Sequence, residues 1–240
     1  MHDVTALFAV VAVSAVPALA VLIWFRIARY PFPPHVFSVF FLAGATSLFA
    51  ALFLQGFIAG TGILPDLSAD RTSLFAKTFA GIALPEELSR LLLIAPALAV
   101  LRRLKPPGTF PQNLDPDTTG RSAGLVAGLG FGVFESAVYG SSYPANILLR
   151  IFTAIPLHAA CGCRVGSAVT VFRQKPALAV FRFLSAAAIH GIYNLLIASP
   201  GFPAVFLAVF VVLSASASSV LAISRGMAEK DGEAEDKHTA

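Results

Sequence analysis

Ala83-Leu84-Pro85-Glu86-Glu87-Leu88-Ser89-Arg90-Leu91-Leu92-Leu93 decides how this chain is read. Two adjacent glutamates and an arginine sit inside an apolar run of membrane-spanning length. An acidic residue at the centre of a membrane helix costs about 2.5–3.5 kcal/mol on insertion scales, so carboxylates at that depth mark pairing or function. Arg90 falls one helical turn from Glu86, at i+4, and at i+3 from Glu87, where it can neutralise or orient one of them.

Composition sets the frame. Of 240 residues, 57% are hydrophobic and 12% charged, against roughly 25% charged in a soluble domain. The formal charge of +4 is no nucleic-acid signal, because the basic residues lie between apolar segments and read as topology. Cys161 and Cys163 fall in one expected span. They imply no disulfide framework and read as small packing residues. The first apolar stretch follows Met1-His2-Asp3 without a basic region, which reads as a retained helix and not a cleaved signal peptide.

Periodicity and length predict an all-α, polytopic transmembrane bundle of about seven spans, at residues 4–25, 35–59, 74–101, 121–140, 145–172, 177–198 and 202–223. The spans form one domain over 1–224, followed by a charged tail, 225–240, expected to be disordered. Pro85 and Pro96 predict a tilt or break in the third span. Gly124, Gly128 and Gly132 repeat at four-residue intervals in the fourth, which predicts a neighbour packed backbone to backbone. Basic residues collect in alternate loops and in the tail, so the N-terminus is expected outside and the C-terminus in the cytoplasm. Arg150 and Tyr139, near the outer boundary, read as snorkelling or interface anchors.

Four ionisable residues share a level. Glu86 lies fifteen residues before Leu101, Glu135 fourteen after Arg121, His158 fourteen before Phe172, and His190 thirteen after Ala177. At 1.5 Å per residue, each is about 20 Å from the cytoplasmic end. Structural hydrogen bonds scattered along four helices need no such agreement, whereas a shared site does. The inventory suits hydrolysis: neutral histidines and a carboxylate can hold zinc, and a second carboxylate can take a proton from water. No histidine shares a level with Ser199 or Ser214, so a serine nucleophile is not indicated.

Four patches carry a family likeness. They are Pro85-Glu86-Glu87-Leu88-Ser89-Arg90, Gly128-Leu129-Gly130-Phe131 through Glu135-Ser136 to Tyr139, Arg150 through Thr153 and Pro156 to His158, and His190-Gly191-Ile192-Tyr193-Asn194. In this order on successive spans they resemble the PrsW family of bacterial intramembrane proteases, within the wider CAAX-protease and bacteriocin-processing superfamily. Arg90 stands where the family more often has lysine, and Ser136 where asparagine usually follows the glutamate. The resemblance implies a CAAX-protease-like core of spans 3–6, about 74–198, in a bacterial plasma-membrane protein. It also implies a single-pass membrane protein or peptide as substrate; the family's known member cleaves an anti-sigma factor. Family members are classed as metalloproteases, while metal-free glutamate mechanisms are argued for relatives.

On this reading Glu86 is the base and Glu87 assists or positions it, with Arg90 beside them. Glu135, His158 and His190 hold a metal ion, expected to be Zn2+, or the water. Asn194 stabilises the oxyanion. The competing readings are a proton-coupled transporter, which also uses midplane carboxylates and histidines, a CAAX-type processing protease, and a scaffold with a degenerate site.

Overall fold

In a computed structural model, residues 4–62, 71–104, 115–142, 146–199 and 201–239 are described. The loops expected at 63–70 and 105–114, the start of the fifth span at 145, and Pro200 lie outside them. The described elements are all helical: α1 Val4–Ser14, α2 Val16–Ile27, α3 Pro34–Gly60, α4 Arg71–Ala76, a π-helical segment Lys77–Ala83, α5 Leu84–Leu104, α6 Pro116–Ser142, α7 Ile147–Phe152, α8 Ala154–Val171, α9 Pro176–Ala198 and α10 Phe202–Thr239.

Several starts are written in the sequence. Pro34, Pro116 and Pro176 each occupy a first helical position, where the missing N–H costs nothing and φ is already set. Asp115 caps α6, its Oδ1 accepting from the backbone N–H of Asp117 at 2.8 Å and of Thr118 at 3.1 Å.

Among the described residues, six helical stretches are long and apolar enough to cross a membrane: Phe8–Ile27, Pro34–Gly60, Pro116–Gly140, Ile147–Val171, Pro176–Ala198 and Phe202–Ala228. The chain is a multi-pass membrane protein. The remaining expected span, 74–101, corresponds to α4, the π segment and α5, and it carries the buried charges of Glu86, Glu87 and Arg90.

Proline explains both irregularities. Pro85 cannot donate to Gly81, and its ring crowds that carbonyl. The chain widens just upstream, and the N–H of Leu84 reaches five residues back to the carbonyl of Phe79, a π-type turn. Pro96 lies inside α5 without an interruption, so of the two positions expected to bend, only the first does. Pro156 stands in the same relation to Phe152, where α7 ends, and Thr153 leaves helical geometry at φ −123° before α8 begins. The fifth span is thus two helices.

A disordered tail is expected from Arg225; α10 runs as far as Thr239. Its alanines, glutamates and lysines, polar enough to suggest disorder, are also good helix formers.

The glycine pattern builds the centre of the bundle. A Cβ on Gly120, Gly124 or Gly128 of α6 would run into the backbone of Gly166, Gly162 or His158 of α8, and Gly162 and Gly166 meet α6 in the same way. This antiparallel zipper lets the two backbones touch. On another face of α6, Gly130 abuts the carbonyl of Phe41 in α3, and Gly44 of α3 abuts that of Ala127. The central helices therefore sit closer than side-chain packing allows, and their functional residues are held at short range.

A side chain at Gly128 must displace backbone. Gly128→Val is expected to destabilise the detergent-purified protein by about 1–3 kcal/mol or more, as overpacking does. Gly56→Val, where a Cβ meets nothing within 4 Å, is expected to leave the thermal midpoint nearly unchanged. Equal midpoints for the two variants would contradict the zipper.

Candidate active site

The π segment delivers Glu86, Glu87 and Arg90 on the first turns of α5, all turned into the bundle. Glu135 comes from the second half of α6, His158 from the start of α8, and His190 from α9. Five of these six are less than 5% exposed, so each polar atom needs a partner inside the protein.

Arg90 is fully buried and lies at the hub. Its Nη2 pairs with Glu87 Oε1, its Nη1 lies 2.9 Å from His158 Nδ1, and the guanidinium sits over the Phe131 ring, 4.5 Å from the centroid. These contacts set the histidine tautomers. A guanidinium only donates, so His158 Nδ1 accepts, and Nε2–H donates to Glu135 Oε2 at 2.9 Å. A carboxylate only accepts, so His190 Nδ1–H donates to Glu87 Oε1 at 2.8 Å. The lone pair of His190 Nε2 is then directed toward Glu86 Oε2, 3.6 Å away.

Each of two carboxylates has its own arginine. Glu87 has Arg90; Glu135 Oε2 accepts from Arg150 Nη2 of α7. Glu86 has none. Its Oε1 accepts from Gln55 Nε2 of α3 at 3.0 Å, and its Oε2 is buried with no hydrogen-bond partner among the described residues.

Glu86, His158 and His190 are the residues whose ligand atoms converge, all within 4.8 Å of one another. The donor set, one carboxylate and two imidazoles, is that of an open catalytic zinc site. The unpartnered Glu86 Oε2 and its uncompensated charge fit a divalent cation. His190 is prepared for it, because a ligating histidine usually donates its other N–H to a carboxylate, as His190 does to Glu87. His158 has both ring nitrogens engaged and would give up one of these bonds to hold a metal ion.

The structure thus brings together six of the seven residues expected from the sequence: Glu86, Glu87, Arg90, Glu135, His158 and His190. Among the described residues the carboxylate in the converging group is Glu86, whereas Glu135, expected as a ligand, contacts His158 and Arg150. Asn194 is half-buried one turn past His190 and makes no hydrogen bond among the described residues. The sequence reading missed Gln55, and it took Arg150 for an anchor. Arg150 binds Glu135, donates from Nε to Ser136 Oγ at 3.2 Å, and covers the Tyr139 ring. The serine at the family's asparagine position is therefore in use. Thr153, at the α7–α8 break, accepts from the Tyr193 hydroxyl at 2.9 Å and ties that corner to α9.

A comparison with family models matches residues 32–217 to the PrsW family intramembrane metalloprotease. The match covers most of the chain, which belongs to this family. No curated protein and no solved structure matches it.

Among the described residues, Gln55 is the one donor to the Glu86 carboxylate. Gln55→Leu leaves Glu86 Oε1 buried without its donor, a loss of about 1–3 kcal/mol. The expected result is a fall of about ten-fold or more in cleavage with unchanged membrane insertion, and Gln55→Asn restores part of it. Wild-type cleavage by Gln55→Leu would remove Gln55 from the site.

Proposed function

We propose that this intramembrane protease uses Glu86 to activate water, with the other five residues holding the geometry. The observation that carries the assignment is the bare Oε2 of Glu86, buried and 3.6 Å from the free nitrogen of His190. A water between these two atoms would have an acceptor for its proton on one side and an imidazole on the other. Gln55 holds the opposite oxygen of Glu86, so the carboxylate presents one fixed face.

The supporting roles follow from the contacts. Glu87 orients His190 and is held by Arg90. Glu135 orients His158 and is held by Arg150. Asn194 has no part in this scheme. A divalent metal ion, if held by Glu86, His158 and His190, would supply Lewis acidity to the water and the scissile carbonyl. The residues of the chain align the reacting groups and exclude bulk water, since Arg90, Glu87 and His190 are nearly without exposed surface.

Family membership implies membrane-embedded protein or peptide substrates. We take a single-pass membrane protein as the substrate class, cut at the level where α5, α6, α8 and α9 bring the site together; these helices correspond to the proposed core of spans 3–6. The cationic end of the bundle, with Arg102, Arg103, Arg173 and Lys175, supports an orientation with that end and the C-terminus in the cytoplasm.

Glu86→Gln keeps size and burial but removes the proton acceptor. In proteoliposomes with a transmembrane substrate, cleavage is expected to drop at least 10²–10³-fold, in the range of a lost general base, with unaltered helicity and gel-filtration profile. Full cleavage by this variant would exclude Glu86 as the base.

A further inference from the structure

A second polar group lies at the end of the bundle where α5 and α8 finish and α6 and α9 begin, and it shares no residue with the hydrolytic cluster. Asp117 is its one carboxylate, and both its oxygens are in use. Oδ1 accepts from Arg182 Nη1 at 2.7 Å and from the Ser167 hydroxyl, and Oδ2 accepts from Arg121 Nη2 at 2.9 Å. Arg164, deeper in α8, finds no carboxylate among the described residues. Its Nη1 donates to the Ala160 carbonyl at 2.9 Å and to Ser219 Oγ at 3.1 Å, and its Nη2 to Ser218 Oγ at 2.6 Å. Among the described residues, three arginines against one aspartate leave two positive charges in surplus.

The free edge of Arg164 is informative. A guanidinium has five N–H donors, and three are spent. Nε and one hydrogen of Nη2 remain, neighbouring donors of the kind that bind carboxylate or phosphate in a two-bond fork. Arg164 borders a cavity of about 190 Å³ lined also by Arg121, Arg182, Ser185 and Ser218. A tetrahedral oxyanion suits such a lining of charge and hydroxyls.

The surroundings identify the source of the anion. Gly226 of α10 packs against Thr118, which fixes where α10 passes the start of α6. Ser218 lies eight residues earlier, about 12 Å deeper in the bundle. At this depth an unpaired arginine is costly and is normally paired or stretched toward the headgroups. Phe181 lines the cavity and is exposed, as are Leu184 and Leu221 nearby on the same helices. The cationic cavity thus opens through an apolar outer surface that meets acyl chains. An amphiphile with an anionic head satisfies both, in the way that basic pockets between membrane helices receive lipid headgroups.

We propose that the Arg121–Arg164–Arg182 cavity binds the phosphate group of an anionic phospholipid, with Arg164 taking it on its free edge. The site is independent of the proteolytic reading and holds whatever reaction the hydrolytic cluster performs.

The test uses the full chain in a mild neutral detergent. Retained lipid is counted by native mass spectrometry and the thermal midpoint is followed, with phosphatidylglycerol, phosphatidylcholine or inorganic phosphate added separately. Wild type is expected to retain one phosphatidylglycerol, to gain stability from it, and to respond to neither phosphatidylcholine nor millimolar phosphate. Arg164→Gln is expected to weaken phosphatidylglycerol binding about ten-fold or more, through loss of the charge-assisted fork. Ser218→Ala, at an exposed position, is expected to weaken it a few-fold, and it carries the test if Arg164→Gln does not fold. Unchanged binding in the folded variants, or equal retention of phosphatidylcholine, overturns the site. Stabilisation by inorganic phosphate alone, without a response to phosphatidylglycerol, overturns the lipid as its source.

Discussion

A buried arginine is the constraint on which the rest of the site depends. A guanidinium cannot shed its charge, and removing it from water is costly unless it is paired. Arg90 is met by Glu87, by the lone pair of His158 and by the face of Phe131, while its Nε has no hydrogen-bond partner among the described residues. Through Glu87 it also reaches His190. One residue on α5 thereby sets the tautomers of histidines on two other helices. A lysine presents one compact ammonium, whereas Arg90 uses two separate nitrogens for two partners. Relative to a lysine, the arginine at this position keeps the charge and adds reach to a second partner.

The backbone packing and the chemistry occupy the same place. The zipper of Gly120, Gly124 and Gly128 against α8 ends where Gly128 touches the carbonyl of His158. One turn further along α6, Gly132 lies against the His158 side chain and Ile155, and Glu135 follows within reach of His158 Nε2. Two proline effects complete the positioning. The π segment before Pro85 sets the rotation at which Glu86 and Glu87 enter the bundle, and the break before Pro156 turns α7 so that Arg150 reaches back to Glu135. Irregular backbone at membrane depth is tolerated where the protein buries it, and both irregularities adjoin the polar cluster.

Much of this was legible in the sequence because rise per residue is fixed. Counting from the ends expected to be cytoplasmic collected Glu86, Glu135, His158 and His190, and helical spacing added Glu87 and Arg90. Rise gives depth but no rotation about the helix axis, so it did not show that Glu86 converges with the two histidines. Gln55 escaped for a related reason. It lies five residues from the end of α3, so counting along α3 does not bring it to the level of Glu86. Its one signal was an amide alone in an apolar span. Asn194 has the right depth and spacing but no partner, a distinction that only side-chain positions make.

Whether the water activated by Glu86 is also metal-assisted turns on Glu86, His158 and His190, the group that could hold a divalent ion. The most direct measurement is the metal content of the purified, folded protein in mild detergent, alongside His158→Ala and His190→Ala. The account predicts close to one zinc per chain in wild type and loss of it in both variants. A folded wild-type protein that cleaves its substrate without metal, and is indifferent to chelators, would contradict it.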